Sequence, residues 1–148
     1  MKITEITEND IPEISEMATE EFSYAKLSAD KILSRKKNGI FIFKAVEENK
    51  IAGFVDFQLN GQKAFINGVT VKKQFRGKKI GKTLLKFAIN FSAWSGAQKI
   101  ELIVRKDNSP AKKIYESLGF RITGPHYKKI DGKEIEKMEL EIEENALS

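Results

Sequence analysis

The hydrophobic pattern at the start of the chain predicts one strand and two helices. Polar and apolar residues alternate over residues 2–7, as in a strand with one buried face. Asp10 has the chemistry of a helix N-cap, and apolar residues then recur with helical spacing as far as Phe22. A second, shorter helix is expected to start after Ser28 and to end before Gly39.

Three consecutive segments rich in β-type residues follow, at residues 40–46, 51–59 and 62–71. The dipeptide Asn60-Gly61 between the second and the third favours a two-residue β-hairpin turn. Gly68 interrupts the third segment, and a glycine inside a strand often marks a β-bulge. We therefore expect a bulge at Asn67–Gly68, after which backbone groups leave the ladder.

A bulge at this point frees the backbone of Val69 and Val71 to pair with an extended ligand that carries amides, as an added strand would. The N–H group of Val69 is then expected to face a carbonyl oxygen of that ligand. The alternative is that Gly68 only accommodates a neighbouring phenylalanine side chain.

From residue 78 the apolar spacing is helical, and it continues to Gly96, which has the chemistry of a helix stop. Residues 99–105 predict a strand. Ser109 then opens a short helix that Gly119 closes.

The last two strands are expected around residues 120–123 and 133–142, before a frayed tail at residues 143–148. The loop between them contains Gly124, Pro125, Asp131 and Gly132. The whole order of elements predicts a single α/β domain over residues 1–148. Its sheet should mix strand directions, because hairpins give antiparallel pairs and strand–helix–strand units give parallel ones.

Composition narrows the chemistry that this domain can carry. The 148 residues include no cysteine, which excludes a disulfide framework, a thiol nucleophile and any cysteine-ligated metal site. His126 is the one histidine, so no metal cofactor is expected. The chain lacks an apolar run of the roughly 18–20 residues that a membrane span needs, and no secretory segment follows Met1. These features predict a cytoplasmic protein without a membrane partner.

The net charge of +5 is concentrated in one block. Residues 72–82 contain no acid and hold Lys72, Lys73, Arg76, Lys78, Lys79 and Lys82. Such a block favours a specific anionic ligand, with a solvated lysine-rich surface as the alternative. A nucleic-acid partner is not expected, because the block lacks interleaved aromatic residues beyond Phe75.

The sequence VTVKKQFRGKKIGKTLL, from Val69 to Leu85, predicts a strand, a basic turn that contains glycine, and an amphipathic helix. The first N–H groups of a helix have no partner within it, and the helix dipole favours an anion there. Gly77 and Gly81 would let the backbone approach a phosphate closely. The segment therefore predicts a phosphate or pyrophosphate site, although it has neither the P-loop nor the Rossmann glycine pattern.

The sequence NSPAKKIYESLGF, residues 108–120, supplies a third candidate element. Asn108 and Ser109 have capping chemistry, while Ile114 and Leu118 are expected in the core. Tyr115 lies one residue off that apolar stripe, so its hydroxyl group can reach a cleft beside the sheet. The alternative is an ordinary half-buried packing residue.

Together, the RGKKIGKTLL and NSPAKKIYESLGF segments resemble the two conserved motifs of the GCN5-related N-acetyltransferase (GNAT) superfamily. The order of elements over residues 1–142 also matches that superfamily. Within it, LIVRKDNSPAKKIYESLGF and DGKEIEKMEL look most like ribosomal-protein and protein N-terminal acetyltransferases. The resemblance implies a mixed, mostly antiparallel sheet of about seven strands flanked by about four helices.

The resemblance implies transfer of an acetyl group from acetyl-CoA directly to a primary amine, since no cysteine is present to form an acetyl-enzyme. It makes Tyr115 the general acid that protonates the departing thiolate. Asn108 would contact the pantetheine arm or help to place the thiol, and the Val69 amide would polarise the thioester carbonyl. The implied acetyl-CoA contacts are Val69, Thr70, Val71, Arg76, Gly77, Lys78, Lys79, Ile80, Gly81, Lys82, Asn108 and Tyr115.

The chain departs from the superfamily pattern at two positions. Lys79 replaces the middle glycine of the pyrophosphate motif, and Ile103 stands where these relatives often carry a glutamate or histidine proton acceptor. Glu101 shares a strand face with Ile103 and is the fallback base. Other bases left open are Glu20, Glu21 and a water chain.

The resemblance also places His126 and Tyr127 near the acceptor, whereas Trp94 is expected to be a packing residue. A protein N-terminal amine is the first expectation for the acceptor. A small amine, such as a polyamine or an aminoglycoside-like compound, is the alternative. A catalytically silent acyl-CoA-binding regulator remains a second class of function, and the protein is expected to be a monomer or homodimer.

Overall fold

A computed structural model describes residues 1–21, 34, 37–130 and 132–143. Within them, seven strands and three helices follow one another. In chain order these are β1 (Lys2–Glu5), α1 (Ile11–Glu21), β2 (Ile40–Glu47), β3 (Lys50–Asn60), β4 (Lys63–Val71), α2 (Ile80–Trp94), β5 (Lys99–Arg105), α3 (Ser109–Ser117), β6 (Arg121–Ile130) and β7 (Lys133–Glu141). The helix expected between Ser28 and Gly39 falls largely outside the described residues, as does most of the tail.

The strands form one sheet in the order β1-β2-β3-β4-β5-β7-β6. The β4–β5 pair is parallel, and the other neighbouring pairs are antiparallel. This confirms the predicted mixed, mostly antiparallel sheet. The parallel pair arises where helix α2 carries the chain from β4 across to β5, as a strand–helix–strand unit must.

The pairing of β4 with β5 stops soon after it begins. Lys63–Phe65 pair with Lys99–Glu101, and the two strands have no further register. We call the gap between residues 66–71 of β4 and residues 102–105 of β5 the slot. It opens toward the end of β4, where the basic turn follows.

The bulge predicted in β4 is present at the closed end of the slot. Asp56 of β3 pairs with Gly68 while Phe57 pairs with Ile66, which leaves Asn67 as the extra residue. A bulge bends its strand and increases the local twist. The register change therefore coincides with the point at which β4 turns away from β5.

The two faces of the sheet are covered differently. On the α2 face, helix α2 packs over a core that includes the fully buried Phe57, Leu84 and Met138, and α3 packs against the same core. On the opposite α1 face, helix α1 packs over Ile42 and Phe54. Alternation along β5 turns Glu101 and Ile103 to the α1 face, because Ile100, Leu102 and Val104 lie in the α2-face core.

Two sequence expectations about local structure were wrong. The loop expected around Gly124 and Pro125 is part of β6, which continues to Ile130. The strand continues through these residues with shifts in its register against β7. Because β6 is an edge strand, a proline there can lack its N–H group without the loss of a ladder hydrogen bond. The hairpin turn lies at Gly61–Gln62, one residue later than expected, because Asn60 still pairs with Lys63.

Trp94 is not a packing residue, since 84% of it is exposed. It lies two positions after the fully buried Ser92, which is about 200° around the helix and so on its outer side. Ile114 was expected in the core but is 39% exposed, because α3 turns Ala111, Tyr115 and Leu118 to the core instead. No helix in the described ranges is long and apolar enough to cross a membrane.

Candidate active site

The basic turn between β4 and α2 presents a run of unpaired backbone donors. Gly77 and Lys79 adopt left-handed conformations, with φ of +85° and +62°, and α2 begins at Ile80. Among the described residues, the N–H groups of 77–82 donate no hydrogen bond to backbone or side chain. Unpaired N–H groups at a helix N-terminus form an anion site. This geometry is what the predicted pyrophosphate site requires.

The basic turn combines one buried aromatic side chain with several exposed charged side chains. Phe75 is buried, whereas Arg76, Lys78 and Lys79 are exposed. The Nζ atom of Lys78 lies 5.6 Å from the centre of the Phe75 ring, in a cation–π contact. The cations thus stand at the surface beside the free N–H groups, where an anionic ligand can meet both.

Lys79 keeps the backbone conformation that a glycine would adopt freely. A non-glycine residue in the left-handed region costs about 1–2 kcal/mol. The Lys79 side chain is exposed, so it does not fill the turn. At Gly81, by contrast, an added Cβ atom would lie 3.6 Å and 3.7 Å from methyl carbons of Val71 and Val69, which is ordinary contact.

The slot exposes backbone groups of Val69 and Val71. The Lys72 N–H group donates to the Ala52 carbonyl at 2.8 Å, so Lys72 is a hydrogen-bonded position of the β3–β4 ladder. Because such positions alternate in an antiparallel pair, the N–H and C=O groups of Val69 and Val71 point away from β3 and into the slot. The Val71 carbonyl accepts a bond of 3.1 Å from Arg76 Nε. The Val69 backbone and the Val71 N–H group therefore offer an open strand edge to an amide-bearing ligand, whereas the Val71 carbonyl already accepts from Arg76.

Thr70 lies between these two residues with its side chain on the α1 face, opposite Phe54. It is 4% exposed, and its Oγ1 atom has no hydrogen-bond partner among the described residues. A cleft of about 500 Å³ opens beside it, between α1 and the basic turn. Glu13, Glu16, Met17, Thr70, Val71, Lys72, Lys73, Gln74 and Arg76 line this cleft.

Tyr115 lies on α3, which follows β5 at the open end of the slot. Its ring packs edge-on against Phe120 at 6.0 Å, within the α2-face core. Burial raises the pKa of the Tyr115 phenol above its usual range. The phenol therefore keeps its proton at neutral pH, as a general acid must.

Asn108 caps α3, and its Oδ1 atom accepts the Ala111 N–H group at 3.3 Å. The side chain is exposed at the point where β5 ends. The structure thus shows a capping role for Asn108, and its contact with pantetheine stays a prediction.

Glu101 lies on the α1 face at the closed end of the slot, next to Phe65 of β4. Its carboxylate is 3.7 Å from Lys63 Nζ and 3.4 Å from Lys137 Nζ. The ammonium groups of Lys63 and Lys137 therefore already form ion pairs with Glu101, the residue expected as the alternative base. The side chains of Glu20, Glu21, His126 and Tyr127 lie outside the described residues.

Sequence reasoning missed one acidic residue close to the slot. Asp56 is 5% exposed, and it pairs across the ladder with Gly68, directly beside the bulge. Its Oδ1 atom accepts a bond of 3.1 Å from Asn67 Nδ2. The signal was present in the sequence, because Asp56 is the lone charge in the apolar run IAGFVDF.

Residues 4–120 match the Acetyltransferase (GNAT) family. The chain belongs to this family. This confirms the resemblance drawn from the two motifs.

A spermidine N(1)-acetyltransferase of Thermoplasma acidophilum is 28% identical over 103 residues, which cover 70% of this chain and 64% of that protein. The chain thus spans less than two thirds of this curated relative. The solved ribosomal-protein-S18-alanine N-acetyltransferase of Escherichia coli superimposes with a TM-score of 0.82 at 22% identity, over 97% of each chain. The structure of yncA from Salmonella typhimurium with its cofactor acetyl-CoA gives a TM-score of 0.83 at 19% identity, over 97% of this chain and 95% of that one.

Proposed function

We propose that this protein transfers an acetyl group from acetyl-CoA directly to a primary amine. The observation that carries the proposal is the run of unpaired N–H groups at residues 77–82, which adjoins a slot with a free strand edge. A diphosphate needs the first feature and the amides of pantetheine need the second. Family membership supports the same co-substrate.

The residues present fit acetyl-CoA along its length. The amides of residues 77–82, with Arg76 and the neighbouring lysines, would hold the diphosphate. The Val69 and Val71 backbone would pair with the pantetheine amides, and the Val69 N–H group would polarise the carbonyl to be attacked. When bound, acetyl-CoA supplies an activated acetyl group and a thiol leaving group. Tyr115 holds the proton that this thiol requires.

The coverage of the sheet supports one direction of approach for the acceptor. Gly81 of α2 packs on the Val69 and Val71 side chains, and Tyr115 of α3 packs in the same core, so the α2 face of the slot is occupied. The proposed approach of the amine is therefore from the α1 face. The cleft on that face carries both signs of charge, because Glu13 and Glu16 line it together with Lys72, Lys73 and Arg76, and Lys72 pairs with Glu13 at 3.2 Å.

For the acceptor, we propose a protein N-terminal amine first and a small polyamine-like amine second. The first rests on the resemblance of the LIVRKDNSPAKKIYESLGF segment. The second is supported by the spermidine N(1)-acetyltransferase among the relatives.

Calorimetry with acetyl-CoA, followed by a thiol-release assay, tests the proposal. The assay panel contains an alanine-led peptide, a serine-led peptide, spermidine and an aminoglycoside. We expect binding of acetyl-CoA and thiol release with at least one amine. Absence of heat and of thermal protection would contradict the proposed site. Binding without thiol release for any amine would instead favour a silent acyl-CoA-binding regulator.

A further inference from the structure

A buried acid beside the slot has no role in the proposed chemistry. Asp56 lies on the α1 face, between Ile42 of β2 and Gly68 of β4. Burial of a carboxylate costs several kcal/mol unless hydrogen bonds or charges compensate it. A buried acid in an interior strand of a sheet, next to a ligand-binding edge, is therefore a candidate for function.

The bulge connects this acid to the slot. Gly68 has no side chain, so at this register no β4 side chain stands between Asp56 and the slot on the α1 face. The extra residue Asn67 reaches back instead, and its Nδ2 atom donates to Asp56 Oδ1 at 3.1 Å. A carboxylate only accepts, so the bond fixes which end of the amide faces Asp56. The other end of the amide, Asn67 Oδ1, can then accept a hydrogen bond from a ligand, and Asn67 is exposed at the edge of the slot.

Among the described residues, the opposite wall of the slot, formed by β5, offers no equivalent group. Ile103 is apolar. Glu101, two residues away, lies within ion-pair distance of Lys63 and Lys137. Of the described side chains at the closed end of the slot, the Asp56–Asn67 pair thus combines an acceptor oxygen with a buried carboxyl group.

We propose that Asn67, positioned by Asp56, binds the amino group of the acceptor. Asn67 Oδ1 accepts an N–H bond from the amine, and the Asp56 charge favours an amine that enters as an ammonium ion. This inference rests on the proposed function, and it deepens that function by assigning amine recognition to the β3–β4 side of the slot rather than to β5.

The test compares Asn67→Ala and Asp56→Asn with the wild type, using whichever of spermidine and an alanine-led peptide the wild type acetylates faster. Asn67→Ala removes the contact. Asp56→Asn retains an oxygen for Asn67 Nδ2 and removes the charge. Each variant should raise the acceptor KM about 10- to 100-fold, since a hydrogen bond to a charged group is worth a factor of this order. The Kd for acetyl-CoA should stay within about twofold, because neither residue belongs to the diphosphate site.

Gln58→Ala is the matched control, because Gln58 lies two residues from Asp56 on the same face of β3. It should leave the acceptor KM unchanged. Calorimetric titration of the same amine into the CoA-bound protein should show the same loss of affinity, independently of turnover. Asn67 is exposed, so its variant provides the measurement even where Asp56→Asn lowers the melting temperature.

The results separate the two levels of the proposal. An acceptor KM within twofold of the wild type in Asn67→Ala overturns the inference, while wild-type turnover leaves the acetyltransferase proposal intact. If the wild type acetylates neither amine, the proposed acceptors are wrong and this inference falls with them. If Asp56→Asn changes kcat but not the acceptor KM, Asp56 does not act through amine binding.

Discussion

At the scale of single residues, Tyr115 is the side chain that most directly tests the chemistry. Its ring packs against Phe120 in the core, and its hydroxyl group carries the proton. Packing and proton supply can therefore be separated by removal of one oxygen atom.

Tyr115→Phe should lower kcat by about 10²- to 10⁴-fold, because general acid catalysis contributes a factor of this size. The Kd for acetyl-CoA should change little, since the ring remains in place. Thiol release and calorimetry on the same preparation measure the two quantities. Unchanged turnover would remove Tyr115 from the mechanism. Ile114→Ala, on the exposed side of the same helix, serves as the control.

Lys79 provides a second test, which concerns backbone strain. Lys79→Gly and Lys79→Ala remove the same charge, but only glycine adopts a φ of +62° without cost. Lys79→Gly should therefore be more stable than Lys79→Ala by about 1 kcal/mol in urea unfolding. Equal stabilities would show that the turn relaxes out of the left-handed conformation when the lysine is removed.

At the scale of elements, the position of β4 between β3 and α2 decides whether the slot forms. Two glycines control its close contacts. At Gly53 of β3, an added Cβ atom would lie 2.5 Å from the backbone oxygen of Thr70, whereas at Gly81 of α2 the same atom fits. One methyl group should therefore have opposite effects at the two sites.

Gly53→Ala should destabilise the protein by about 1–3 kcal/mol, because overpacking here must displace backbone. Gly81→Ala should stabilise the free protein by about 0.5–1 kcal/mol, because alanine is the better helix former and its methyl group has room. Chemical denaturation of both variants provides the comparison. A neutral Gly53→Ala would mean that β3 and β4 can separate at no cost, which this packing does not allow.

At the scale of the whole molecule, the distribution of charge matters more than the net value of +5. The basic turn is exposed at one end of the sheet. On the α1 face of β4, β5 and β7, by contrast, lysines and glutamates pair with one another. The positive field is thus concentrated where the diphosphate would bind.

The affinity for acetyl-CoA should therefore fall with salt. Between 50 mM and 500 mM sodium chloride we expect the Kd to rise about tenfold, because exposed charges are screened over a few ångströms at high ionic strength. Calorimetry at the two salt concentrations measures the change, and a melting curve at each concentration checks that the fold is unaffected. A Kd independent of salt would assign the binding energy to the slot rather than to the basic turn.

The sequence by itself determined the features whose causes are local. The bulge at Asn67–Gly68, the basic turn before α2 and the cap at Asn108 each depend on glycine or capping residues within a few positions, so their local chemistry predicts them. The two motifs that contain the basic turn and the Asn108 cap, together with the order of elements, also indicated the family. The unpaired N–H groups of the basic turn follow from the local backbone conformation, so no distant residue is needed to create them.

Only the tertiary structure decided which distant residues meet. The register of β3 against β4 brings Asp56 to Asn67, and the register of β5 against β7 brings Lys137 to Glu101. The edge position of β6 allows a strand to continue through Pro125. Each outcome depends on strand pairing over long sequence separations, where a shift of one residue would turn every side chain to the other face. That dependence hid the contact between Asp56 and Asn67 from sequence analysis.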